Sequence, residues 1–112
     1  GDSCTRPLMT RKTAPDRLEA RVTGGDLMSG DILLADAGGE GPAVAEFRFG
    51  FSGGRERVQT LERGKRLRPT GRFYLPVTTY DTDRLETVSV VFDRPVPDDA
   101  SLVLCSNAKE TP

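Results

Sequence analysis

A chain of 112 residues has the length of one domain and leaves no room for a second. Sixteen basic residues against seventeen acidic ones give a formal charge of −1, which argues against the strongly basic make-up of a domain that binds nucleic acid as a whole. Histidine is absent, so Ser-His-Asp triads, Cys-His pairs and histidine-built zinc sites cannot be assembled within the chain.

Residues 1–16 contain Pro7 and Pro15 and no clear period, and read as an extended N-terminal arm. The pattern then changes to short alternating runs. Leu18, Ala20 and Val22 alternate with Arg17, Glu19, Arg21 and Thr23, the signature of a half-buried strand. Gly24-Gly25-Asp26 is a turn, and a second strand follows at Asp31–Ala35. After the loop 36–42 comes the clearest period in the chain. Ala43, Ala45, Phe47, Phe49 and Phe51 are predicted to face the core, with Val44, Glu46, Arg48 and Gly50 outward.

Ser52-Gly53-Gly54 turns the chain into a weaker strand at Arg55–Leu61, and breaks follow at 62–65 and 69–71. Phe73, Leu75, Val77 and Thr79 alternate with Tyr74, Pro76, Thr78 and Tyr80 over Arg72–Tyr80. Pro76 makes that strand an edge or a bulge, because proline donates no ladder hydrogen bond. Strands at Leu85–Phe92 and Ala100–Cys105 complete the set, and 107–112 is a polar tail. The expected fold is all-β: a single antiparallel β-sandwich over 17–106, immunoglobulin-like or jelly-roll-like, of seven to eight short strands. The inter-sheet cysteine spacing and core tryptophan of immunoglobulin domains are missing, and no family resemblance emerges. No apolar run approaches the ~18–20 residues of a membrane-spanning helix.

Cys4 and Cys105 are the only thiols. Chain ends of a domain commonly lie close together, so a Cys4–Cys105 disulfide is one reading, and it implies periplasm, cell surface or secreted medium. Two unrelated cysteines, or lipid attachment at Cys4, are the alternatives. Thirteen arginines against three lysines suit a GC-rich bacterial genome.

The near-neutral total conceals an uneven distribution. Arg55, Arg57, Arg63, Lys65, Arg66, Arg68 and Arg72 make residues 55–72 +5, against −2 for 1–54 and −4 for 73–112. Such a patch suits an acidic protein surface or an anionic glycan, although arginines also line exposed strands and protect edges. No aromatics are interleaved among these cations, which speaks against single-stranded nucleic acid. Tyr74 and Tyr80 fall on the face opposite Phe73 and Leu75 and form a small candidate platform for sugar rings.

Asp81 with Asp83, Asp98 with Asp99, and Asp26 with Asp31 are weak calcium candidates at turns, where aspartate is common for local reasons. Carboxylate pairs for hydrolysis exist in any chain with ten Asp and seven Glu. The expectation is therefore a non-enzymatic, extracytoplasmic interaction or accessory domain with no metal and no cofactor. A glycan-binding module is the alternative.

Overall fold

The alternating runs become strands in a computed structural model that describes residues 4–22, 27, 30–38, 41–60, 72–76 and 84–105. In chain order they are β1 (Cys4–Pro7), β2 (Thr10–Ala14), β3 (Arg17–Arg21), β4 (Ile32–Asp36), β5 (Val44–Phe51), β6 (Glu56–Thr60), β7 (Arg72–Pro76), β8 (Leu85–Phe92) and β9 (Ser101–Cys105). They form a four-stranded sheet, β1-β9-β4-β7, and a five-stranded sheet, β2-β3-β8-β5-β6. Every pairing is antiparallel.

The chain changes sheet at each step from β1 to β2, β3 to β4, β4 to β5, β6 to β7, β7 to β8 and β8 to β9, and stays in one sheet only for the β2–β3 and β5–β6 hairpins. With β1 returning beside β9 and β3 beside β8, this winding is that of a jelly roll, with β2 added outside β3. Of the two outlines the sequence allowed, the topology selects this one.

Apolar side chains at period two meet between the sheets. Leu18 and Ala20 of β3, Phe47, Phe49 and Phe51 of β5, and Val88, Val90 and Phe92 of β8 line one wall. Leu33 and Ala35 of β4, Leu75 of β7, and Leu102 and Leu104 of β9 line the other. The three phenylalanines expected inward are all buried.

Val44 departs from the expected alternation: it is buried and Ala45 only half-buried. Between Val44 and Glu46 the register against β8 slips, since Val44 pairs with Phe92 and Glu46 with Val91. One extra residue on β5 is a bulge, and it turns Val44 to the core face. At its far end β5 passes through the 3-10 turn Ser52–Gly54 into β6. Gly53 and Gly54 there hold φ of 85° and 86°, a region that costs a Cβ-bearing residue, and Phe51 N–H donates to Arg55 C=O at 2.8 Å.

Residues 4–7 and 10–14, within the segment read as an arm, are hydrogen-bonded into both sheets. Leu8 and Met9 carry the chain from β1, at the edge of one sheet, to β2, at the edge of the other. These two edges therefore share one side of the sandwich, and β6 and β7 share the opposite side. The proline expected at an edge is there, in β7.

Candidate binding surfaces

Jelly-roll winding gathers the described part of the basic stretch on the β6–β7 side. β6 is exposed at all five positions, and Arg57 lies in register with Phe49. The Arg55 guanidinium stacks 4.9 Å from the centroid of the Phe51 ring, a cation–π contact that anchors its stem while leaving the residue exposed. Arg72 opens β7 and donates from Nε to Asp36 Oδ1 at 3.2 Å. The same oxygen accepts the Gly38 N–H at 2.9 Å, so Arg72 also steadies the chain beyond β4. Arg63, Lys65, Arg66 and Arg68 lie outside the described residues, in the segment that joins β6 to β7.

Tyr74 stands in register with Leu34 on β4. Leu34 belongs to the outward row of the four-stranded sheet with Ile32, Val103 and Cys105. Leu34 and Cys105 are buried, and Ile32 and Val103 half-buried. Tyr80, Asp81, Asp83 and Asp26 are outside the described residues. Asp98 and Asp99 sit exposed in a turn closed by Ala100 N–H donating to Pro97 C=O at 3.1 Å, and Asp98 accepts from Lys12. Among the described residues no three His, Cys, Asp or Glu side chains cluster as metal ligands, and no helix is long and apolar enough to cross a membrane.

The outer face of the five-stranded sheet carries a second charged surface that the sequence reading did not single out. Arg11 pairs in register with Glu19, their charged ends 3.6 Å apart. Arg48 lies on the same face, between Glu46 and Glu56. Its guanidinium is held further into the protonated range than usual by the hydrogen bond to Glu46 and then by that carboxylate's charge; burial opposes this and Glu56 assists. Ser89 is outward in register yet buried, because Arg17 folds over it and donates from Nη2 to its hydroxyl at 3.3 Å. Met9, Thr10, Arg11, Glu19 and Arg21 enclose an open cleft of about 280 Å³ at the β2–β3 edge. The signal was present in the alternation of Arg17 and Arg21 with Leu18 and Ala20. What it lacked was the knowledge that Arg11 comes alongside on a neighbouring strand.

In comparisons with known proteins, no family model, no curated protein and no solved structure matches this chain.

Proposed function

We propose that the protein is a non-enzymatic, extracytoplasmic bacterial binding domain that docks on an acidic protein surface through its β6–β7 side. The observation that carries this reading is β6 itself: an edge strand exposed along its whole length that carries Arg57, with the exposed Arg55 just before it and Arg72 brought to the same side by the return through β7. Arg55, Arg57 and Arg72 thus share one side of a domain that is net acidic outside residues 55–72, a segregation that steers an anionic partner.

Compartment follows from the cysteines. Cys4 and Cys105 are Cα partners across the β1–β9 pair, and no described cysteine is a free thiol. A Cys4–Cys105 bridge in an oxidising compartment accounts for both. A second reading, an anionic- or neutral-glycan module using Tyr74 and Tyr80, is supported by the register of Tyr74 with the outward row of its sheet.

Retention on immobilised poly-glutamate, heparin, duplex DNA and an insoluble neutral polysaccharide, at rising salt, separates these readings. The protein-docking reading expects salt-sensitive retention on poly-glutamate that is lost in R55E/R57E and in R63E/R66E/R68E. Unchanged retention of both variants overturns it. Retention on polysaccharide that is lost in Y74A/Y80A moves the assignment to the second reading.

A further inference from the structure

We propose that the cleft at the β2–β3 edge is a binding site for a small amphipathic monocarboxylate, separate from the β6–β7 surface and on the opposite side of the sandwich. Its geometry follows from the register. Thr10 pairs with Ala20 and Arg11 with Glu19, so Met9 and Arg11 on β2 flank Glu19 and Arg21 on β3. The cleft is half open to solvent, and its volume of about 280 Å³ falls just under the ~300–1,000 Å³ common for small-molecule sites.

Three features define the ligand. Arg21 makes no ion pair or hydrogen bond through its side chain among the described residues, whereas Arg11 is held by Glu19. Arg21 is therefore the group that takes the anion, and a carboxylate matches the planar fork of a guanidinium. Met9 is 89% exposed, the most exposed large apolar side chain among the described residues. It stands beside the arginine stems, whose methylenes give the cleft further carbon walls, so an apolar body has somewhere to lie. Glu19 is the third feature. It adds a negative charge beside Arg11 and leaves the cleft only one cation in excess, which suits a single carboxylate better than a phosphate or sulfate dianion.

The test is a titration followed through the Met9 methyl and the Arg21 Nε–H signals by NMR, with octanoate, octanol, acetate and sulfate as probes. Saturable shifts of both signals with octanoate, and none with octanol or acetate at equal concentration, are expected. R21Q should weaken octanoate about tenfold or more, as loss of a hydrogen bond to a charged group implies, with R21K intermediate. M9S should weaken it with Arg21 intact. Both positions are solvent-facing, and the dispersed amide spectrum of each variant reports its fold. Non-saturating shifts, equal octanoate affinity in R21Q, or tighter binding of sulfate than of octanoate overturns the proposal. None of these outcomes bears on retention by poly-glutamate through β6.

Discussion

The ammonium of Lys12 donates to the carbonyl of Val96 at 2.8 Å across 84 residues of sequence. Lys12 belongs to the edge strand β2 and stands in register with the buried Leu18, so it points to the inward side of its sheet. Val96 lies between β8 and β9 with its side chain in the core, and its N–H donates to Pro15 C=O at 2.9 Å. Both backbone groups of Val96 are thus satisfied by the β2–β3 hairpin. One lysine both caps the crossing loop and places an inward charge on a sheet edge, a device that blocks pairing with other chains.

Replacing Lys12 by Met keeps the apolar stem and removes the donor. We expect a loss of about 1–3 kcal/mol in urea unfolding, the cost of a part-buried carbonyl left without its partner. D98N should match the parent protein, although Asp98 also pairs with Lys12 at 3.1 Å, because that carboxylate is fully exposed. Equal losses in the two variants would assign the stabilisation to the ion pair instead of the backbone cap.

Gly50 on β5 sits opposite Thr87 on β8, and a Cβ at position 50 would come within 2.4 Å of the Thr87 hydroxyl. G50A should cost about 1–3 kcal/mol through forced repacking of a β-branched neighbour. In the double variant G50A/T87A the obstacle is gone, and a thermal-melt cycle should return most of that loss. Strict additivity of the two single changes would show that they do not meet.

The proposed bridge between Cys4 and Cys105 closes a loop of about 100 residues and contributes up to ~4–5 kcal/mol in the chain-entropy model. C4S/C105S should unfold at lower urea than the oxidised protein and coincide with the parent under reductant. Mass measurement without reductant should lie two hydrogen atoms below the mass of the reduced chain. A full-mass chain with two alkylatable thiols removes both the bridge and the compartment inferred from it.

Stability should be nearly flat between about pH 6 and pH 8, since no side chain of ordinary pKa titrates there in a chain without histidine. Arg48 is held protonated more firmly when folded, so its contribution is present throughout the neutral range and is lost only on rising into strongly alkaline solution. Melting temperatures across a buffer series check this; a step near neutrality would contradict it.

The strands were legible wherever one face is buried, because period two leaves its mark in residues such as Phe47, Phe49 and Phe51. Pro76 announced its edge, since its missing donor is a local property. Three things were not legible. The burial of Val44 depends on a bulge defined against Phe92 and Val91, nearly fifty residues away. The pairing of residues 4–7 and 10–14 leaves little trace in a segment whose described side chains are only half-buried or exposed. The cleft beside Arg21 needs two strands in register, and register between strands is a tertiary fact. The seven-cation stretch was visible as charge density, yet only the winding showed that Arg55, Arg57 and Arg72 end on one side.

The pairing of β1 with β9 sets when this molecule can exist. β9 stands between β1 and β4, so until residues 101–105 have been made β1 has no strand to lie against and the four-stranded sheet lacks an interior member. Few contacts of the four-stranded sheet are available to a growing chain before residues 101–105 emerge, which delays completion of that sheet until β9 is present.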